Sequence, residues 1–143
     1  MLSNTCKTGI KAVIYLALKQ KSADKAGVKE IADSIDASEH TLGKILQTLV
    51  KQNVINSTKG PSGGFYIDKL QLKQPIISII EAIDGKQVFK ACGLGLSKCS
   101  ESHPCPIHDQ YKKGRLLIEK LFCEKRVLDL YEPVHDRLAY LLG

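Results

Sequence analysis

Residues 28–67 have the sequence VKEIADSIDASEHTLGKILQTLVKQNVINSTKGPSGGFYI, which contains two helical patterns in close succession. Apolar residues recur at helical spacing over 28–35 and again over 42–50. Residues 36–37 interrupt the pattern, and Ser38 is a good N-cap for the second helix. A short helix, a tight turn and a longer helix together predict a helix-turn-helix.

The second of these helices has a polar face near its N-terminus, where a helix-turn-helix protein meets the major groove. An ordinary solvated face is the alternative, because every amphipathic surface helix has one. The candidate DNA contacts on this helix are Ser38, Glu39, His40, Thr41, Lys44 and Gln47.

Two short strands, 54–58 and 65–67, flank a glycine-rich turn at 59–64. Glycine permits positive φ and brings backbone amides close to an anion, so this tip can hold phosphate or enter a minor groove. An ordinary hairpin is the alternative, and a nucleotide-binding P-loop fits poorly because no Gly-Lys-Ser/Thr follows. Its position directly after the helix favours a wing. The candidate contacts in the wing are Lys59, Gly60, Pro61, Ser62 and Gly63.

Outside this stretch the sequence predicts a helix over about 4–20, a helix that begins after Pro75 and ends near Gly85, and an aperiodic loop over 86–106. A further helix begins at Ile107. We predict a mainly α fold with a small β-hairpin, a winged helix-turn-helix followed by a long dimerisation helix. The expected divisions are a DNA-binding domain at 1–85, a cysteine-rich sensor loop at 86–106, and a dimerisation helix and C-terminal segment at 107–143.

The helix that begins at Ile107 repeats apolar residues every three or four positions, which is a heptad-like seam. Leu117 and Phe122 lie off the seam and form a second apolar edge, which we assign to the chain's own body. A helix with two apolar edges predicts a homodimer, and burial within a monomer is the alternative. The closing segment 127–142, which includes Leu138, is expected to be broken at Pro133. The predicted dimer seam consists of Ile107, Tyr111, Gly114, Ile118 and Leu121.

The chain has 143 residues, 43% of them hydrophobic, and a net charge of +6. This length supports one compact core with an appendage, and the positive charge favours phosphate-bearing partners. No apolar run is long enough to span a membrane, and the N-terminus lacks the order of a secretory signal. We therefore expect a cytoplasmic protein without a membrane partner.

Three of the five cysteines crowd into residues 92–105, which argues against a secreted disulfide framework and favours metal or redox chemistry. Thiolates suit iron-sulfur clusters and zinc alike, and an imidazole can replace a thiolate. The wide spacing favours a cluster over zinc, whose cysteines usually come in closer pairs, and bare redox-sensing thiols are a further alternative. Cys6 and Cys123 are expected to be small buried hydrophobes. The candidate metal ligands are Cys92, Cys99, Cys105 and His108.

The wing, the preceding helix-turn-helix and the cysteine loop ahead of a long helix resemble the iron-sulfur cluster regulator family of winged helix-turn-helix transcription regulators. Its members include IscR-type, nitric-oxide-sensing NsrR-type and cysteine-metabolism CymR-type regulators. The resemblance covers nearly the whole chain. It implies a homodimer that binds double-stranded DNA at imperfect palindromes and is not an enzyme.

The resemblance also implies that the three clustered cysteines ligate the cluster and that His108 is the fourth ligand, as in two-iron members. This favours a 2Fe-2S cluster over a 4Fe-4S cluster. The gap between Cys92 and Cys99 is one residue longer than in the best-known histidine-ligated member. Some members take a carboxylate from the partner's N-terminal helix, but residues 1–23 contain no Asp, Glu or His, which favours His108. Because some relatives keep the fold without a cluster, zinc or no metal is the alternative.

These features predict a transcription regulator, acting as a repressor, whose operator affinity is tuned by a cluster or by the redox state of the loop. Gly43 stands where cluster regulators carry a carboxylate that contacts bases, so their operator sequence does not transfer to this chain. Two other functions are alternatives to a transcription regulator. One is a zinc-stapled interaction module built on a winged helix, and the other is an iron-sulfur redox or electron-transfer protein.

Overall fold

The computed structural model of the protein describes residues 1–136 and residue 141. These residues form six α-helices and one antiparallel hairpin, which lies between the third and fourth helices in the chain. This confirms the predicted winged helix-turn-helix architecture. Leu138 of the predicted closing segment lies outside the described residues. The elements are α1 (Asn4–Lys19), α2 (Val28–Ile35), α3 (Glu39–Lys51), β1 (Asn56–Thr58), β2 (Gly64–Tyr66), α4 (Ile76–Asp84), α5 (His108–Glu124) and α6 (Val127–His135), with short 3₁₀ turns at Gln20–Ser22, Gln71–Lys73 and Lys86–Phe89.

The turn between α2 and α3 is built as the sequence predicts. Asp36 takes a left-handed conformation with φ 53°, and its N–H donates to the Ala32 carbonyl, which ends α2. The Ser38 hydroxyl accepts the N–H of Thr41 at 3.5 Å and caps α3. Because only two residues separate the end of α2 from this cap, α3 is held firmly across α2.

The main core lies where α1, α2 and α3 meet. Each helix contributes one apolar stripe, and the burial of each large side chain stabilises the fold by about 1.5 to 3 kcal/mol. The opposite face of α3 is left exposed to solvent. The largest fully buried side chains of these three helices are Val13, Leu16, Ile31, Ile35, Leu42, Leu46 and Leu49.

The wing is tied to the body by a third strand-like contact that the sequence did not predict. β1 and β2 pair antiparallel, and Phe65 of β2 also exchanges two backbone hydrogen bonds with Ala26, of 2.9 and 2.8 Å. Gly64 has φ 145°, and a Cβ there would lie 2.9 Å from the Ala26 carbonyl oxygen. Glycine at this position therefore allows the wing to approach the body closely.

Helix α5 lies largely outside the core, whereas α6 returns to it. None of the described residues of α5 is buried, and the helix contacts the body through Phe122, whose ring centroid lies 6.1 Å from that of Phe89. Val127 and Tyr131 of α6 are buried in the main core. The second apolar edge predicted for α5 is thus present at Phe122, but Leu117 remains 70% exposed and is not part of it.

Two further expectations are corrected by the structure. Cys123 is exposed, because it follows Phe122 on the helix and is turned away from the body; Cys6 is buried as predicted. Pro133 does not break the closing segment, since α6 continues through it to His135. A proline removes one backbone donor, and the packing of the neighbouring turn into the core offsets that loss.

A helix must be long and predominantly apolar to cross a bilayer. Within the described part of the chain, none is both long and apolar enough to cross a membrane.

Candidate nucleic-acid interface and metal centre

The predicted DNA-contacting residues of α3 lie together on its outer face. Glu39, His40, Thr41, Lys44 and Gln47 are all exposed, and the cap residue Ser38 is exposed at the start of the same helix. This places carboxylate, imidazole, hydroxyl, ammonium and amide groups on one surface. Such a surface offers both donors and acceptors to base edges.

Helix α3 and the wing border one groove of about 450 Å³, which Gln47 and Lys59 both line. Lys51, Ser57 and Thr58 line the same groove, and sequence reasoning had not included them. Lys51 follows Gln47 by four residues, so helical periodicity could have placed it on the same face. Lys51 thus adds a second ammonium group to the groove that Lys59 lines.

The tip of the wing exposes Lys59, Gly60, Pro61 and Ser62. Gly63 is half-buried, and its N–H donates to the Gly60 carbonyl at 2.9 Å. The Gly63 amide is therefore occupied within the turn, and the exposed tip residues are the ones placed to meet DNA.

The structure brings the three clustered cysteines together. The sulfur atoms of Cys92, Cys99 and Cys105 all lie within 4.8 Å of one another, and those of Cys92 and Cys105 are 3.6 Å apart. None of the three forms a disulfide. Because these residues come from separate turns of one loop, the loop is folded around the thiols.

His108 lies at the edge of this set, in the first turn of α5. Its Nδ1 atom is 3.2 Å from Cys99 Sγ, although the mutually close group found among the described residues holds the three cysteines alone. Its Nε2 atom is buried and has no hydrogen-bond partner within residues 1–136. The imidazole therefore links the cysteine loop to the start of α5.

Cys92 and Cys105 differ in their electrostatic surroundings. The backbone amides of Leu96 and Leu94 lower the pKa of the Cys92 thiol to about 7. Burial raises the pKa of Cys105, and the neighbouring sulfur of Cys92 adds to this. The thiolate is the form that binds metals, so Cys92 is prepared for a metal near neutral pH.

A cavity of about 30 Å³ at the centre of the site is lined by the four predicted ligands and by Lys90, Gly93, Tyr111 and Arg115. None of these four additional residues was predicted to line the metal site, and Tyr111 was predicted to lie in the dimer seam instead. Tyr111 and Arg115 follow His108 at helical spacing on α5, so the face they share was visible in the sequence once the helix was assigned. An ion pair between Lys112 and Glu101 also holds the loop against α5.

The predicted dimer seam is largely exposed. Gly114, Ile118 and Leu121 of α5 are exposed, as are Ile107 at its N-cap and the neighbouring Leu117. Tyr111 is half-buried and lines the cysteine cavity, so its ring is shared with that site. The alternative that α5 is buried within a monomer is wrong, since its described residues include no buried side chain.

Comparisons with known proteins agree with this architecture. A family model named Rrf2, described as an iron-dependent transcriptional regulator, matches residues 2–133. The chain belongs to the Rrf2 family. The Rrf2 family consists of transcriptional regulators, and this chain is a DNA-binding regulator of the winged helix-turn-helix type.

Two relatives and two solved structures show the range of similarity within the Rrf2 family. A protein of Aquifex aeolicus assigned as an HTH-type transcriptional regulator is 33% identical, covering 91% of this chain and 90% of the relative. NsrR of Oceanobacillus iheyensis is 24% identical, with 92% and 90% covered. CymR, the global cysteine regulator of B. subtilis, has a TM-score of 0.69 at 19% identity, with 92% and 96% covered. IscR of T. potens has a TM-score of 0.70 at 18% identity, with 97% and 91% covered.

Proposed function

We propose that this chain is a homodimeric repressor whose affinity for an imperfectly palindromic operator is tuned by an iron-sulfur cluster held at Cys92, Cys99, Cys105 and His108. The observation that carries the proposal is the convergence of three sulfur atoms within 4.8 Å at the start of α5. The relatives named NsrR and IscR support it at the level of the family.

The donor set fits a two-iron cluster. The ligands fall into two close pairs, Cys92 with Cys105 at 3.6 Å and Cys99 with His108 at 3.2 Å. Each iron of such a cluster takes two protein ligands, and imidazole can replace thiolate. A bound cluster would supply a redox-sensitive charge and a cross-link within the loop.

The residues of the chain itself explain how loop occupancy can reach the DNA. His108 is both a loop contact and a first-turn residue of α5, and the Lys112–Glu101 ion pair joins the same two segments. Ordering this junction orders the start of the proposed dimer helix. The dimer in turn sets the separation of the two α3 helices, about 34 Å for one turn of DNA.

Anaerobically prepared protein tests this proposal. We expect visible absorption, iron and sulfide in the purified protein, and an operator affinity that differs between loaded and metal-free protein by about 5- to 150-fold, the usual range of allosteric coupling. Equal affinities would contradict tuning by the cluster.

A zinc-stapled interaction module is the second candidate, and the 3.6 Å separation of Cys92 Sγ and Cys105 Sγ supports it. Two thiolates on one tetrahedral zinc ion, each at about 2.3 Å, lie roughly 3.8 Å apart. Colourless protein with one zinc per chain would support this candidate over the cluster.

Lys44 and Lys59 are expected to contact phosphates from α3 and from the wing tip. Replacing either by glutamine should weaken operator binding and reduce the salt slope of the affinity by about one for each protomer, because each protomer then makes one phosphate contact fewer and releases one counterion fewer. Fluorescence anisotropy over a series of salt concentrations measures this.

The matched control for this test is Lys113→Gln, which makes the same charge change at an exposed position on α5. The slope of the control should equal that of the unmodified chain. If Lys44→Gln and Lys59→Gln kept that slope too, neither side chain would be a phosphate contact.

A further inference from the structure

Two buried side-chain nitrogen atoms lack a hydrogen-bond partner among the described residues, His108 Nε2 and Arg115 Nε. Both residues line the cavity that the three thiols line. A buried donor without an acceptor is destabilising, and such groups are rare in folded proteins. The guanidinium always carries its protons, so Arg115 Nε is a donor that needs an acceptor.

The rest of the Arg115 side chain is firmly held. One terminal NH₂ group donates to the Ala91 carbonyl at 2.6 Å, immediately before Cys92. The guanidinium also lies over the ring of Tyr111, with its central carbon 5.9 Å from the ring centroid. These contacts leave the side chain little freedom, so the position of its Nε atom is set by the fold.

The side of the cavity next to Arg115 is closely packed. A Cβ on Gly93 would lie 2.6 Å from the Tyr111 ring, so the ring packs directly on the backbone that follows Cys92. The Tyr111 ring and the Ala91 carbonyl therefore hold the Arg115 side chain where α5 meets the loop. Among the side chains that line this cavity, the three cysteine sulfur atoms are the most numerous acceptors.

We infer that Arg115 is a positioning residue of the cysteine site, which fixes the backbone ahead of Cys92 and directs an N–H donor and a positive charge at the sulfur-rich group held there. The inference rests on the proposed function, because the group in question is the cluster. Hydrogen bonds and charge around the sulfur atoms set the potential of such a group. The planar fork of arginine can serve the carbonyl and the site together, which lysine cannot.

The test compares Arg115→Gln, Arg115→Lys and the control Lys113→Gln, which is exposed on the same helix and does not line the cavity. Three quantities are measured: amide exchange over residues 91–96 in metal-free protein, the affinity for cobalt(II) from its thiolate absorption, and the midpoint potential of the reconstituted protein. Since α5 contributes no buried residue to the core, these variants should fold.

For Arg115→Gln we expect faster exchange over 91–96, a cobalt(II) affinity lower by about 10- to 100-fold, as for other outer-sphere partners, and a lower potential than in the control. Arg115→Lys should keep the potential closer to that of the unmodified chain, because it keeps the charge, while exchange stays fast.

Cobalt(II) affinity and potential in Arg115→Gln equal to those of Lys113→Gln would overturn the inference and leave the proposed function standing. If Arg115→Gln showed faster amide exchange but unchanged cobalt(II) affinity and midpoint potential, the role of Arg115 would be purely structural, and the inference would be overturned as well. If the unmodified chain bound neither cobalt(II) nor a cluster, the proposed function would fail, and the inference with it.

Discussion

Replacing Leu117 and Leu121 together by glutamate is expected to leave a monomer that binds the operator about 10²- to 10⁴-fold more weakly, since two linked half-sites bind with that advantage. Leu117 is 70% exposed and Leu121 is 48% exposed, on the same face of α5. Neighbouring exposed leucines on one helix form an apolar surface that the proposed second copy would cover, and paired carboxylates there would repel across that interface. Sedimentation equilibrium and operator binding measure the two effects.

The control for this pair is Lys113→Gln combined with Lys120→Gln. It makes the same net charge change on the same helix, at exposed positions that flank Leu117 but lie outside the predicted seam, so it changes the charge without removing an apolar contact. Thermal unfolding should show a folded body in both, because neither leucine is buried in the chain itself. A double-glutamate variant that remained a dimer with full affinity would place the interface elsewhere.

Replacing Cys92 and Cys105 together by alanine should abolish metal binding. The two sulfur atoms are 3.6 Å apart and constitute one of the two close ligand pairs, so their loss leaves too few donors for a cluster or for zinc. Visible absorption and bound metal should disappear. Operator affinity should become that of metal-free protein, a change of about 5- to 150-fold.

Cys123→Ala is the matched control, because it removes an exposed thiol of α5 that is outside the cluster. It should retain both the absorption and the difference between loaded and metal-free protein. A double-alanine variant that still bound stoichiometric metal would refute the assigned ligands. One that lost metal without any change in operator affinity would separate metal binding from regulation.

The DNA-binding half of the molecule was largely predictable from local sequence. Helix periodicity, the Ser38 cap and the glycine-rich turn each act over a few residues, and the structure places α2, α3 and the hairpin where these signals predict them. The extra contact of Ala26 with Phe65 was not predictable in this way, because Ala26 lies in a polar stretch with no strand pattern of its own.

The sequence predicted which residues are the candidate ligands of the cysteine site, but not which other residues surround them. Spacing suggested that the thiols converge, and they do. Nothing in the local pattern distinguished Arg115 from the other cations of α5, or showed that Cys123 is exposed. Those properties depend on which face of α5 meets the loop.

Short-range patterns of apolar, capping and glycine residues thus account for the helix-turn-helix and its wing, because the forces that specify them act between near neighbours in the chain. The surroundings of the thiols, in contrast, depend on the tertiary structure. The cavity joins a loop to a helix that begins after it, and its Tyr111 and Arg115 wall exists only when α5 packs beside Ala91 and Gly93. Packing between distant segments, which no local pattern encodes, decides which groups surround the sulfur atoms.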